Sequence, residues 1–192
     1  GRDGGDAREQ SLDYQIRGDF FAGLLGGDAE AWARARETVE ARLRAAPGDG
    51  EALAWKGSML IAEAGRAFDG GDPAEGARLW DRGLEMMDRG VEREGGTPAS
   101  RVPRGVTLLR IWQYEQDSDR AHEMLVTARD DLRESLEWLT PLWDRQSEHA
   151  RGMLLLMLAE AEEHVARAGM ARSASLRERL IEEMPGTTYA ER

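Results

Sequence analysis

The chain has no cysteine, and Lys56 is the single lysine among its 26 basic residues. Without cysteine there is no disulfide and no thiolate metal site, and the redox state of the compartment leaves no mark on the fold. Long apolar runs are missing as well: the longest, Met153 to Ala159, is about a third of the ~20 residues that a membrane-spanning helix needs. Basic residues never cluster beyond two in a row, and the net charge is -11, so nucleic acid and anionic membranes are poor partners. Sustained period-two alternation between turn residues is also absent, and no sheet is expected.

What is present is helical. Apolar residues make up 41% and charged residues 33% of 192 residues, enough for one folded domain with a sizeable core. Gly1 to Asp6 is small and polar. It reads as an added end or the start of a mature domain, and residues 1–10 are expected to be disordered. The protein is then cytoplasmic, or exported with a signal peptide lying upstream.

From residue 11 the apolar spacing is that of helices. Leu12, Ile16, Phe20, Phe21 and Leu24 form a first stripe, stopped by Gly26-Gly27, and Asp28 caps a second helix carrying Trp32, Ala35, Val39 and Leu43. Asp49 caps a third, with Leu53, Gly57, Leu60, Ile61, Ala64 and Phe68 on one face. Asp72-Pro73-Ala74-Glu75 combines a cap, a first-turn proline and a capping-box glutamate for the fourth. That helix carries Gly76, Gly83 and Gly90, each costing roughly 1 kcal/mol of helix propensity relative to alanine, which close approach of a neighbouring helix would offset.

After a loop from Glu94 to Pro103, a fifth helix is expected from Pro103 to Gln116 and a sixth after Asp117 through Leu139. Thr140-Pro141 is read as a cap and first-turn proline opening a seventh helix that ends at Gly169, and an eighth spans 172–184 with Leu176, Leu180 and Ile181. The expectation is all-α, with eight helices in four antiparallel hairpins at about 11–47, 50–95, 103–139 and 141–185.

A local pattern recurs on the odd-numbered helices: a basic residue, then glycine, then a step into large apolar residues. Arg17-Gly18, Lys56-Gly57, Arg104-Gly105 and Arg151-Gly152 are its four copies, separated by 39, 48 and 47 residues, which is the range of helical repeat arrays. Gly23, Ala35 and Pro47 fall at the small, small and proline positions of the tetratricopeptide repeat (TPR), and Gly23 to Gly57 is that repeat's 34-residue period. Residues 182–190 also resemble a junction between two such repeats. The chain thus resembles a TPR protein. The resemblance implies a right-handed superhelix whose first helices line a concave groove holding a peptide or partner protein, and it implies no catalysis.

The four basic residues Arg17, Lys56, Arg104 and Arg151 would form a ladder of cations if the odd helices share a surface, suited to a carboxylate or phosphate; otherwise each pairs locally. Six tryptophans suit helix packing, with Trp112 and Tyr114 as candidates for a groove wall. Glu160 with His164 and Asp119 with His122 share helix faces, but the paired Glu-x-x-His motifs of di-iron bundles are lacking, with Ala161 and Gln146 where glutamates would stand. Ser147-Glu148-His149 splays around a helix and forms no triad. No cofactor or metal is expected. The leading reading is a noncatalytic scaffold for a peptide or protein; a small-ligand carrier walled by Trp and Met is the alternative, and a carboxylate and histidine metal enzyme a third.

Overall fold

The computed structural model describes the backbone of residues 11–183 and the side chains of residues 11–170 and Ala174. The segment 1–10 expected to be disordered, and Leu176, Leu180 and Ile181 of the expected eighth helix, lie outside those side chains. Among the described residues there is no strand. The α-helices are α1 (Leu12–Leu25), α2 (Ala29–Ala45), α3 (Gly50–Asp69), α4 (Pro73–Arg93), α5 (Pro98–Ile111), α6 (Ser118–Leu139) and α7 (Glu148–Glu183), with 3-10 turns at Trp112–Tyr114 and Thr140–Arg145.

Local chemistry sets these boundaries. The Asp28 carboxylate accepts from the amides of Glu30 and Ala31, Asp49 from Ala52, Asp72 from Glu75, and Asp117 from Asp119 and Arg120, at 2.9–3.1 Å. Each satisfies donors that the first helical turn leaves unpaired. Helices stop where glycines are paired, because a residue at positive φ turns the chain out of the helix: Gly27, Gly71, Gly95 and Gly96 are the described residues that take it up.

Lone glycines do not stop helices, and this corrects the expected end at Gly169: α7 runs on to Glu183. Gly169 carries only a propensity cost of about 1 kcal/mol, with no second glycine to reverse the chain. Within the expected hairpin at 141–185, residues 148–183 therefore form a single helix, and the described residues hold seven α-helices. Its start is also corrected. Thr140 donates its hydroxyl to the Leu136 carbonyl at 2.8 Å and prolongs α6 as a tight turn. Ser147 is the cap of α7, its Oγ accepting from the Ala150 amide at 3.1 Å. The fifth helix starts at Pro98 rather than Pro103, since Pro98 already suits the first position; Pro103 sits buried within the helix at the cost of one backbone hydrogen bond.

Neighbours in sequence pack on one another, and α3 is the hub, touching α1, α2, α4 and α5. From Gly50 to Ile61 every residue of α3 except Lys56 is buried. One side of α3, with Ala52, Trp55 and Met59, joins Leu12, Ile16 and Phe20 of α1 and Trp32, Ala35 and Val39 of α2. Ile61 joins a second core with Met87 of α4 and Leu108, Leu109, Leu125, Leu132, Leu154 and Met157 of α5, α6 and α7. Against α4 the backbones come close. A Cβ built on Gly50 would lie 2.5 Å from the Gly90 carbonyl oxygen, and one on Gly57 2.6 Å from that of Gly83. Gly83 and Gly90 of α4 are thus explained by Gly57 and Gly50 of α3, and Gly76 by the Phe68 ring, which lies 2.6 Å from where its Cβ would be.

Glu51, 5% exposed, caps α1 from a distance. Its carboxylate accepts from the Ser11 hydroxyl and the amides of Leu12 and Asp13, each at 3.0 Å. Negative charge at a helix N-terminus is favourable. Glu51→Ala is expected to cost about 2 kcal/mol and to raise hydrogen exchange at the Leu12 and Asp13 amides before that of α3.

Candidate functional site: an apolar groove

A half-open groove of about 1450 Å³ is lined by residues of α1, α3, α4, α5, α6 and the start of α7. Its wall holds large apolar side chains that the fold leaves exposed: Tyr14, Phe21 and Leu24 of α1, Phe68 of α3, Tyr114, Trp138 and Met153. Deeper in the wall, Ser58 of α3 hydrogen bonds Thr107 of α5 at 2.8 Å, tying two helices together. Trp55 is 6% exposed and its indole N–H has no acceptor, and the buried Thr97 hydroxyl has no partner either. Both residues line the groove.

Charge in the wall is mostly acidic. Asp13, Glu51, Asp69, Asp81 and Glu115 face three cations, Arg17, Arg110 and Arg120. All three cations are already engaged: Arg17 with Asp13, Arg110 with Glu160 at 2.7 Å, and Arg120 with Asp81 at 3.0 Å and Glu115 at 3.3 Å. Arg120 stays more firmly protonated than usual, first through its hydrogen bond to Asp81, with burial opposing.

No family model, curated protein or solved structure matches the chain.

Of the residues singled out from sequence, Arg17 and Tyr114 line the groove, while Lys56, Arg104, Arg151 and Trp112 do not. The basic residues form no ladder. Lys56 turns to Glu40 of α2, and Arg104 to Asp131 of α6 and Asp88 of α4. Arg151, half-buried on α7, has no ion pair among the described residues. Trp112 packs against the second core and against the His164 ring, centroids 5.5 Å apart. The glycines of the recurring pattern divide likewise. Those at 57 and 105 are pressed against neighbours, whereas nothing lies within 4 Å of a Cβ at Gly18 or Gly152.

Glu160 is held by Arg110 and lies 3.9 Å from His164; among the described residues no three His, Asp or Glu side chains converge. The groove aromatics were only partly legible. Phe21 is adjacent to Phe20 and cannot share its buried direction, a signal that one of the two faces outward. Met153 follows from the same reasoning, since an apolar run of seven on a helix exceeds one face.

Lys56 is half-buried beside its partner, Nζ to Glu40 Oε1 being 2.7 Å. That hydrogen bond, opposed by burial, holds the Glu40 carboxyl below the usual glutamate range. A depressed pKa in the folded state means stability present above the ordinary glutamate value of 4.5 and lost as pH falls through the folded value. Lys56→Ala is expected to destabilise by less than about 1 kcal/mol at pH 7. The gap between variant and wild type, measured by urea unfolding, should close on acidification below pH 4.5.

Proposed function

We propose that the protein is a noncatalytic, TPR-like scaffold whose groove holds an amphipathic segment of a partner protein, apolar on one side and basic on the other. The observation that carries this reading is the concentration of exposed aromatic and aliphatic side chains in one concavity. Soluble monomers rarely leave large contiguous apolar patches uncovered unless something binds there, and an apolar helix face in a groove is a recurrent recognition mode. Basic character is assigned to the partner because acids outnumber arginines in the wall and the whole chain is acidic. The groove exceeds the roughly 300–1,000 Å³ typical of small-molecule pockets, which supports a peptide over a small-ligand carrier.

The test uses a designed leucine and lysine amphipathic 14-residue peptide and its leucine and glutamate counterpart, titrated against tryptophan fluorescence and thermal shift. The basic peptide is expected to bind in the micromolar range and the acidic one not at all. Phe21→Glu, on an exposed position, is expected to weaken binding about tenfold or more. Binding that is unaffected by Phe21→Glu, or no binding by the basic peptide, overturns the proposal.

A further inference from the structure

One end of the groove holds hydrogen-bonding groups that an apolar occupant would leave unused. Trp55 of α3 is 6% exposed, and its indole N–H meets no acceptor among the described residues. Thr97 is the N-cap of α5, yet its buried hydroxyl makes no cap hydrogen bond and has no other partner among the described residues. A buried donor without an acceptor carries a desolvation penalty, so two on one wall need a cause.

The fold brings these groups together. Glu51 and Trp55 both line the groove, and residues four apart on a helix are neighbours one turn apart. Glu94 backs onto the first turn of α3, since a Cβ on Gly50 would lie 2.6 Å from the Glu94 Cβ. Thr97 follows Glu94 by three residues, a reach of about 10 Å at most, and therefore stands at the same end of α3. Glu51 adds an acceptor. A carboxylate offers about four acceptor positions, and the Ser11 hydroxyl and the Leu12 and Asp13 amides fill three of those on Glu51.

We propose that this end of the groove is a subsite for a carboxamide, the side chain of a glutamine or asparagine in the partner segment. Its carbonyl oxygen accepts from the Trp55 indole and the Thr97 hydroxyl, and its NH₂ group donates to the remaining position on Glu51. A carboxylate there would face the charge of Glu51, and an ammonium group has no lone pair for the indole N–H. Both donors are shielded from water. The carboxamide reaches them by shifting exposed side chains of this wall, such as Tyr14, which is 56% exposed. The subsite would set the register and direction of a segment that the apolar wall alone would let slide.

The inference rests on the groove holding a peptide, and its test uses the same leucine and lysine peptide with one leucine, in the first or the last turn, replaced by glutamine, methionine or glutamate. At one of the two places glutamine is expected to bind about fivefold tighter than methionine, and glutamate about tenfold weaker than glutamine. Trp55→Phe and Thr97→Val each remove one donor, and each should cut the advantage of glutamine while leaving the methionine peptide within about twofold of its wild-type affinity. The indole N–H resonance of Trp55, the one of six missing from Trp55→Phe, should move downfield with the glutamine peptide and not with the methionine peptide. Methionine preferred at both places, or glutamine and methionine peptides weakened equally by both variants, overturns the carboxamide subsite alone. No binding by any of the peptides overturns the groove reading and the subsite with it.

Discussion

Gly57→Leu is expected to unfold the protein or to cost more than about 3 kcal/mol, the largest effect of any single replacement on α3. A Cβ there would lie 2.5 Å from Met87 Cγ, 2.6 Å from the Gly83 carbonyl oxygen and 2.9 Å from the Met87 amide nitrogen. Met87 could swing aside, but two of these three atoms are backbone of α4 and cannot. Even one methyl would therefore drive the two helices apart and loosen the row that Gly50 and Gly90 continue. Overpacking typically costs about 1–3 kcal/mol, and a branched side chain at a backbone contact lies above that range. Gly18→Ala supplies the opposite sign. Its site is exposed and open, so the gain in helix propensity should stabilise by roughly 0.5–1 kcal/mol. Urea unfolding of both variants, with m-values checked against wild type, measures the contrast. A Gly57→Leu protein as stable as wild type would mean that α3 and α4 do not pack this closely.

Asp131→Ala is the second large loss. Asp131 is 1% exposed on α6, and its carboxylate takes Arg101 Nη1 at 2.8 Å and both Nε and Nη2 of Arg104 at 2.7 and 2.8 Å. Burial works against the charge on Arg104, but the Asp131 hydrogen bond and charge outweigh it and hold the guanidinium more firmly protonated than usual. Two arginines of α5 are thus clamped to one acid of α6, with Asp88 of α4 also on Arg104 and Glu134 also on Arg101. Removing the acid alone leaves buried cations short of a partner, and breaking such a buried network costs about 3–5 kcal/mol. For a chain of this size that lowers the melting temperature by roughly 10 °C. Adding Arg104→Met to Asp131→Ala should recover part of the loss, because an apolar stem without its charge has nothing left to satisfy. A double variant less stable than Asp131→Ala alone would show that Arg104 contributes independently of the acid.

The clamp also explains why Arg104 is an unlike member of the recurring pattern. Read along the chain, Arg17, Lys56, Arg104 and Arg151 look equivalent. Side-chain rotation and the neighbouring helix separate them: Asp13 lies one turn away on the same helix, Glu40 on α2 and Asp131 on α6. Spacing along one helix gives the direction of a side chain, and the partner in that direction comes from another part of the sequence.

Most of what the sequence determined is local and periodic. Apolar spacing placed α1 to α3 and the core residues Ile16, Trp32, Ala35, Val39, Leu60 and Ile61, because burial of one helix face repeats every three to four residues. Aspartate caps and paired glycines set their ends through hydrogen bonds that span three or four residues. The heptad glycines of α4 also announced a close neighbour. Tertiary structure decided what depends on residues distant in sequence. It made Glu51 the cap of α1, took Lys56 and Arg104 into ion pairs between helices, and left Phe21, Phe68, Tyr114, Trp138 and Met153 facing a shared groove. The end of the chain shows the limit most clearly. Thr140-Pro141 and Gly169 carry the local signs of a helix start and a helix stop, yet each signal was weak enough, about 1 kcal/mol, for the neighbouring turns to overrule it.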